Sequence, residues 1–329
     1  MFSYRHAFHA GNHADVLKHM TLIATATYLT QKDAGLTIID THAGAGLYRL
    51  DGDFSQKSAE ASEGVHKLFS SLVFNEKIAK NGINNAQVAP KLIATLLQNY
   101  LDCVAGFNTV QSKTTALSVY PGSPFVLFQH LRHAARDKLK LFELHPTDFK
   151  SLAGNIAQLE AGRTVSVAQA DGFESLKALL PPPNKRALVL IDPSYEMKSD
   201  YAQVSACIQD AMKRFPTGTY AVWYPIIPRA ESHDLPRRLK ALAQLAKKPW
   251  LHATLNIGQD DEDAGAAPKV SIGPDGKPYS AKRPGLRESG MFLINPPHTL
   301  KASLNEALPQ VLEVLGRGRG KGFVVESGG

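Results

Sequence analysis

The apolar residues of this chain recur at two spacings, which predict helices alternating with short buried strands. Between residues 14 and 31 they return every three or four positions, the period of one helical face, until Gly35 ends the pattern. Residues 36–40 instead form a β-branched run that stops at a carboxylate, as at the end of a buried parallel strand. Similar runs follow at 138–143, 164–169, 187–192, 218–224, 250–257 and 290–294. The pattern therefore predicts a sheet of seven strands.

Helical periodicity fills most of the intervals between these strands, notably at 146–159, 199–215 and 235–245. Such alternation predicts a doubly wound α/β sheet that binds its ligand in loops at the strand C-termini. The exception is 52–118, where helical stretches at 59–72 and 88–104 enclose no strand. We predict one α/β domain, built from 1–51 and 119–315, with 52–118 as a small helical insertion subdomain.

Two further segments show no apolar period. Residues 258–287 mix an acidic run with Gly, Pro and Lys, which predicts a flexible loop insertion carrying a hairpin turn at 274–277. Residues 316–322 alternate glycine with arginine or lysine. We therefore expect 316–329 to form a basic, disordered tail.

The composition is that of a globular protein with a basic balance. The 329 residues are 43% apolar, which allows a large core and excludes disorder throughout. The formal net charge of +7 admits a polyanionic partner, although general solubility explains it equally well. Cys103 and Cys207 are too few for a disulfide framework and indicate a reducing compartment. With no apolar run long enough for a signal peptide or membrane span, we expect a cytoplasmic protein.

The turn after the first strand carries a glycine pair, Gly44 and Gly46, that lets a backbone approach a ligand closely. A dinucleotide site would need a third glycine where Arg49 stands, and an acid about 20 residues beyond the turn. The best strand-end acid, Glu143, lies much farther along the chain. The pattern favours S-adenosylmethionine over NAD: the glycine turn would hold the amino-acid moiety, Glu143 the ribose hydroxyls and Asp171 the adenine.

The run at 187–192 leads into a second candidate loop, Asp192-Pro-Ser-Tyr195. The amino group of adenine is a poor nucleophile because its lone pair is delocalised into the ring. The Asp192 carboxylate and the Pro193 carbonyl could accept its two N–H groups and favour a pyramidal nitrogen during attack. Tyr195 could stack on a base turned out of its helix. An ordinary proline turn is the alternative, but acids also stand at the ends of the three strands before it, at Asp40, Glu143 and Asp171.

These loops resemble those of a known enzyme group. Asp192-Pro-Ser-Tyr195 resembles the Asp-Pro-Pro-Tyr motif of methyltransferases that act on adenine amino groups, and 40–46 resembles their first cofactor loop. With the blocks at 3–19, 120–124, 143–146 and 223–225, the sequence is similar to the RlmJ family. The resemblance runs from residue 1 to about 297 apart from 258–287, and its N-terminal block is the most specific part.

The resemblance implies a Rossmann-like class I methyltransferase that uses S-adenosylmethionine to methylate the N6 amine of an adenine in 23S ribosomal RNA. The cofactor-binding positions that it implies, together with the two glycines, are His19, His42, Gly44, Gly46, Ser123, Glu143, Asp171, Gly172 and Asp192. Catalysis is implied for Asp192, Pro193 and Tyr195, and contact with the RNA for Tyr4 and Tyr195. Ser194 replaces the second proline of the motif, which gives the loop an N–H donor and more freedom.

Several residues have a second interpretation. Four histidines, at 6, 9, 13 and 19, could suggest a metal site, but their spacing matches no zinc pattern, and we expect no metal. His19 could equally be a core histidine, and Ser123 could cap the helix that follows it. Asn295-Pro-Pro-His298 also follows an apolar strand but lacks an aromatic residue after the prolines, so we expect it to be structural.

Two other functions remain open from the sequence. A DNA adenine-N6 methyltransferase would use the same loop, because nothing in the sequence reads a 2′-hydroxyl. A non-catalytic RNA-binding protein could retain the same fold, although keeping Asp192, Pro193 and Tyr195 argues against it. We expect a monomeric enzyme whose partner is 23S ribosomal RNA.

Overall fold

The main sheet of the computed structural model has eight strands. The structure describes residues 6, 9–50, 60–72, 92–108, 117–260, 270–272, 278–280 and 285–329. The strands of the main sheet are β1 (Thr37–Asp40), β4 (Lys138–Phe142), β5 (Val165–Ala168), β6 (Ala187–Ile191), β7 (Thr219–Ile226), β8 (Trp250–Asn256), β12 (Glu288–Ile294) and β14 (Gly322–Gly328). Their order across the sheet is β14-β8-β12-β7-β6-β1-β4-β5. All seven strands that the sequence predicts are confirmed.

The strand order reverses beside β1, which lies between β4 and β6. From β7 to β5 the neighbouring strands pair in parallel, whereas β12, β8 and β14 add antiparallel pairs. Every residue of β1 and β6 is buried, as parallel strands covered on both faces require. The crevice at such a reversal, outside the strand C-termini, is where open α/β sheets bind ligands. The predicted fold class is thus confirmed, and its topology places the site at the ends of β1 and β6.

Helices cover both faces of the sheet. They are α1 (His13–Leu29), α2 (Thr95–Ala105), α3 (Ser123–Phe128), α4 (Pro146–Ala157), α5 (Gly172–Leu179), α6 (Lys198–Arg214), α7 (Ala230–Leu245) and α8 (Leu300–Leu315). Asn12 caps α1 by accepting from the N–H groups of Ala14 and Asp15. Most of α1 is buried on all sides because α2 and α8 cover the side that faces away from the sheet.

The described part of the 52–118 insertion is helical, as the sequence predicts. Residues 60–72 form a helix that includes a π-helical turn at Ser62–His66, and α2 begins at Thr95 rather than near 88. Val65 and Leu97 are fully buried in the same apolar cluster as Leu17 of α1. The insertion therefore completes the core over α1 instead of enclosing a separate one.

The C-terminal segment is not the disordered tail that the sequence predicts. β13 (Arg317–Gly318) pairs with β9 (Gly258–Gln259), and β14 pairs with β8 over seven residues, antiparallel. Phe323 and Val325 pack against the core. The prediction was wrong because glycine and basic residues are typical of disordered segments. This strand is stabilised by pairing with β8, which lies far away in the sequence. This strand brings the sheet from seven strands to eight.

Part of the predicted loop at 258–287 is ordered. β10 (Val270–Ile272) and β11 (Pro278–Ser280) pair antiparallel on either side of the predicted hairpin turn, whose residues 274–277 lie outside the described part of the chain. The remaining small sheet pairs β2 (Leu47–Arg49) with β3 (Val119–Pro121).

Candidate active site

A cleft of about 360 Å³ opens where the C-terminal ends of β1, β4, β5 and β6 meet. Of the site residues predicted from the sequence, it is lined by His42, Gly44, Ser123, Glu143, Asp171, Gly172, Asp192 and Pro193. The chain contributes them from five separate segments, which the parallel sheet brings to one edge. Most of the predicted site is therefore placed together.

Glu143 fixes the first loop. Its carboxylate accepts from the Gly44 N–H at 2.8 Å through Oε2 and from the His145 N–H at 2.7 Å through Oε1. Gly44 lies at φ +60°, a left-handed conformation that glycine adopts without strain. Burial raises the pKa of Glu143, and the two N–H donors oppose that rise. The carboxylate thus joins the loops that follow β1 and β4.

Asp40 is completely buried at the end of β1. Ser123 Oγ donates to its Oδ2 at 2.7 Å. Burial raises the pKa of Asp40 to about 7, although the Ser123 hydrogen bond opposes the shift. Ser123 therefore does not cap α3, whose N-cap is Gly122 and has no side-chain cap. The hydroxyl instead stabilises the carboxyl group beneath the first loop.

Asp171 and Gly172 bring the start of α5 against the first loop. Asp171 caps the helix by accepting from the Phe173 and Glu174 N–H groups at 2.8 and 3.2 Å. A Cβ on Gly172 would lie 2.0 Å from the Thr41 carbonyl oxygen, so only glycine permits this approach. Phe173 packs its ring edge-on against His42, with centroids 4.8 Å apart. The arrangement places an acid and an aromatic ring side by side in the cleft.

Lys18 contacts the catalytic candidate Asp192, a relationship that the sequence analysis missed. Its Nζ donates to Asp192 Oδ2 at 2.8 Å and lies 2.9 Å from Asp15 Oδ1. Burial opposes the charged form of Lys18, but the two carboxylates outweigh it and raise its pKa well above the usual value. His6 pairs with the other oxygen of Asp15, at 3.0 Å. The sequence signal for this contact was the pair Asp15 and Lys18, two charged residues three positions apart in a helix that is otherwise largely apolar.

Tyr195 does not lie at the cleft surface as its predicted stacking role requires. Its side chain is buried, and its hydroxyl donates to the Trp223 carbonyl oxygen at 2.6 Å. The ring packs against Tyr201, with centroids 4.6 Å apart. In this conformation Tyr195 anchors the loop rather than offering a face to a base, because its apolar ring gains more from the core than from the open cleft.

A second cavity of about 170 Å³ adjoins the cleft, and the two share His6, Lys18, Asp192 and Ser194. Its far side is formed by Trp223, Pro225 and Leu286. Asp192 therefore stands at the junction of two spaces, one of which has an aromatic wall.

Besides Tyr195, two predicted residues do not line the cleft, and a third is not described. His19 is fully buried, hydrogen-bonds to the Tyr120 hydroxyl through Nδ1 at 2.8 Å, and does not line the cleft. Burial lowers its pKa to about 3, as expected for a neutral core histidine. Gly46 lies behind the loop, where its carbonyl accepts from the Gly122 N–H at 2.7 Å. Tyr4 lies outside the described residues.

Three of the four N-terminal histidines have separate partners. His6 pairs with Asp15, His9 with Glu60 at 3.0 Å, and His19 with Tyr120. Among the described residues, no three His, Cys, Asp or Glu side chains are grouped as a metal site needs.

Asn295 lies at the end of the sheet opposite the cleft, beside the start of β7. Its Nδ2 donates to the Pro216 and Gly218 carbonyl oxygens at 3.1 and 2.7 Å. Asn295 therefore makes structural contacts away from the cleft, in line with the structural role expected for the motif at 295–298.

Comparisons with known proteins agree on one family. A family model described as "Ribosomal RNA large subunit methyltransferase D, RlmJ" matches residues 33–325. A Haemophilus influenzae protein named "Ribosomal RNA large subunit methyltransferase J" is 35% identical over 315 residues, which cover 96% of this chain and 94% of that protein. The Escherichia coli protein of the same name is 36% identical over 309 residues, 94% and 92% of the two chains. A crystal structure of a Legionella pneumophila protein superimposes with a TM-score of 0.71 and 29% identity, over 97% of this chain and 98% of that one.

Proposed function

Because this chain belongs to the RlmJ family of ribosomal RNA large subunit methyltransferases, we propose that it transfers the methyl group of S-adenosylmethionine to the N6 amine of an adenine in 23S ribosomal RNA. The family resemblance and the methyltransferase class predicted from the sequence are confirmed. The observation that carries the proposal is the position of Asp192. Its carboxylate stands between the larger cleft and the second cavity, where a methyl donor and a base can approach it from different sides.

The donor set of the larger cleft fits S-adenosylmethionine. Each oxygen of Glu143 holds one backbone N–H and retains a lone pair, so the carboxylate can accept from ribose hydroxyls. Phe173 and Leu144 offer apolar surface for the adenine ring, with Asp171 beside them. The backbone of the first loop, at His42, Ala43 and Gly44, borders the remaining space. When bound, the sulfonium of the cofactor supplies an electrophilic methyl group.

Asp192 and Pro193 are placed to prepare the nucleophile. Lys18 engages Asp192 through Oδ2, so Oδ1 can accept an N–H of the target amine. A carboxylate has acceptor oxygens and no donor, so Oδ1 is suited to the N–H of the amine. With the Pro193 carbonyl as the second acceptor, both N–H groups are held while the lone pair turns towards the methyl group. The proton lost after transfer can pass to Asp192.

The second cavity is the space that we assign to the target base. Trp223 gives it an aromatic wall, and aromatic stacking is a common way to hold a base turned out of its helix. Because Tyr195 packs inward, Trp223 and Pro225 would contact the base in this conformation of the loop.

We propose that the enzyme acts as a monomer in the cytoplasm. The described residues of a single chain line both cavities. Among those residues, no helix is both long and apolar enough to span a bilayer. Light scattering during gel filtration would measure the oligomeric state.

One assay separates this function from its rivals. The protein is incubated with methyl-labelled cofactor and either unmethylated 23S ribosomal RNA or duplex DNA containing adenine, and the label in each nucleic acid is counted. We expect label in the RNA only, at the adenine N6. Label in DNA alone would identify a DNA methyltransferase. RNA binding without label in either substrate would favour the non-catalytic alternative.

A further inference from the structure

The loop at 192–196, called here the catalytic loop, combines a flexible residue with a strained one. Ser194 stands where the resembling motif has a proline, and its side chain is exposed between the two cavities. Tyr195, which follows it, lies at φ +53°. A bulky residue with positive φ persists only where neighbouring contacts hold it. The loop therefore depends on contacts outside itself for its shape.

Arg229 supplies two of these contacts from the neighbouring loop. Its Nη1 donates to the Tyr195 carbonyl oxygen at 3.2 Å and to the Glu196 carbonyl oxygen at 3.4 Å. Arg229 is the N-cap residue of α7, and its own N–H donates to the Ile227 carbonyl oxygen at 2.6 Å. The guanidinium thus reaches the catalytic loop from a fixed point at the end of β7.

Arg229 and Trp223 hold Tyr195 from different directions. The Trp223 carbonyl oxygen accepts from the Tyr195 hydroxyl, whereas Arg229 binds the backbone carbonyls. Both the side chain and the backbone carbonyl of Tyr195 are therefore hydrogen-bonded. These bonds fix the residue that follows Ser194 and so limit rotation of the Ser194 backbone. Lys18 restricts Asp192 on the N-terminal side of the loop.

We propose that Arg229 is a positioning residue that takes over the stiffening role of the missing proline. By bridging two successive carbonyls after Ser194, it keeps the Pro193 carbonyl and the Asp192 carboxylate aligned on the target amine. Its effect on methylation rests on the proposed function, whereas its effect on the mobility of the loop does not. Arg229 touches no reacting atom in this arrangement.

The test compares Arg229→Ala with the double variant Arg229→Ala/Ser194→Pro. Within the described residues no hydrogen bond uses the Ser194 N–H, so a proline there removes none of the observed contacts. The matched control is Arg237→Ala on the same helix, whose guanidinium is exposed and contacts only Asp234 among the described residues. Two quantities are measured for each protein: steady-state kinetics on 23S ribosomal RNA, and amide hydrogen exchange of a peptide covering 193–197.

We expect Arg229→Ala to lower kcat about tenfold, since displacing a reacting geometry by about 1 Å can cost up to about a hundredfold. KM for the RNA and for the cofactor should change by less than about twofold, because neither is bound by Arg229. Exchange at 193–197 should become about tenfold faster. The added proline should restore most of kcat and of the exchange protection, and Arg237→Ala should match the unmodified protein in both.

A raised KM for RNA with unchanged kcat would make Arg229 an RNA contact and overturn the proposal. So would an Arg229→Ala protein with unchanged exchange at 193–197, or a double variant that folds but recovers nothing. If Ser194→Pro prevents folding, Arg229→Lys and Arg229→Leu replace it: lysine keeps a charged donor and should recover part of kcat, and equal activity in the two would contradict the role. An unmodified protein that methylates no RNA would refute the proposed function, while hydrogen exchange would still decide whether Arg229 holds the loop.

Discussion

Lys18 Nζ lies 2.8 Å from Asp192 Oδ2 and joins two residues that are 174 positions apart in the chain. The same ammonium contacts Asp15 one helical turn earlier, at 2.9 Å. One cation thus pairs with two carboxylates, that of Asp15 buried beneath the site and that of Asp192 partly exposed within it. The catalytic candidate is held by the N-terminal helix rather than by its own loop alone.

Replacing Asp192 with asparagine should remove most of the methyl transfer. An amide offers an NH₂ group as well as an acceptor, so its hydrogen bonds to the target amine weaken or reverse. A transition-state acceptor of this kind is worth roughly 3 kcal/mol, or about a hundredfold in kcat. Single-turnover labelling of 23S ribosomal RNA measures the loss, with thermal unfolding as the control for folding. Turnover near that of the unmodified protein would refute the assignment.

Lys18→Met should destabilise the fold as well as the site. It leaves the buried Asp15 carboxylate with His6 and the Gly11 N–H as partners but without its lysine, and it deprives Asp192 of its cation. Breaking a buried ion pair from one side typically costs about 3–5 kcal/mol. Urea unfolding measures the change, and adding Asp15→Asn should recover part of it by removing the stranded charge. A single variant as stable as the unmodified protein would show that the ion pairs contribute little.

Glu143→Ala should weaken cofactor binding. The ribose hydroxyls would lose a charged acceptor, and such hydrogen bonds are worth about 1.5–3 kcal/mol. Calorimetric titration with S-adenosylhomocysteine gives the affinity directly. Because Glu143 also holds the Gly44 and His145 N–H groups, Glu143→Gln serves as the control that retains an acceptor. Unchanged affinity in the alanine variant would place the ribose elsewhere in the cleft.

Deleting residues 316–329 should destabilise the protein. The deletion removes the edge strand β14, leaves that side of β8 unpaired, and takes Phe323 and Val325 away from the core. Loss of one large buried side chain already costs about 2–5 kcal/mol, so the loss of a whole strand should lower Tm clearly. Arg319→Ala/Lys321→Ala is the matched control, because both side chains are exposed and the strand remains. A truncated protein with unchanged Tm would mean that β14 adds nothing to the fold.

The stability of the fold should fall as the pH drops below about 6.5, where unfolded histidines gain protons. Burial lowers the pKa of His19 to about 3 and that of His13 to about 4. Between these pKa values and 6.5, each of the two histidines is protonated in the unfolded chain but neutral in the folded one. Each therefore lowers the free energy of unfolding by about 1.4 kcal/mol for every pH unit of acidification in that range. Burial raises the pKa of Asp40 to about 7, so between about pH 7 and 4 this residue increases the free energy of unfolding as the pH falls.

His19→Gln separates the histidine contribution from that of the carboxyl groups. We expect urea unfolding at pH 7.5, 6 and 5 to show a shallower decline for this variant than for the unmodified protein. The same slope in both proteins would mean that His19 is not the neutral core histidine that its burial indicates.

Local features of the sequence were enough to predict the parallel sheet and most of the cleft. Each strand is marked by its own apolar run, and an acid at its C-terminal end is recognisable without knowing which strand lies beside it. Because parallel strands bring these ends to one edge, the strand pattern is enough to group Glu143, Asp171 and Asp192. Their grouping follows from the architecture and requires no knowledge of side-chain contacts.

Other features depend on contacts between distant segments, which no local pattern records. The strand at Gly322–Gly328 exists because β8 offers a free edge, and its glycines and cations predict disorder in isolation. The sequence motif predicts that Tyr195 faces the cleft, whereas its contacts with Trp223 and Tyr201 turn it into the core. His19 lies in the core, where its Nδ1 hydrogen-bonds to the Tyr120 hydroxyl.

The sequence by itself therefore determined the fold class, the family and the edge of the sheet that carries the chemistry. Only the tertiary structure decided which charges meet there. Lys18 reaches Asp192, and Arg229 reaches the loop after it, through packing that brings together residues far apart in the chain. The period of apolar residues shows which side of each segment is buried in the core. It does not show which segments pack against one another, and the pairings of Lys18 and Arg229 depend on that packing.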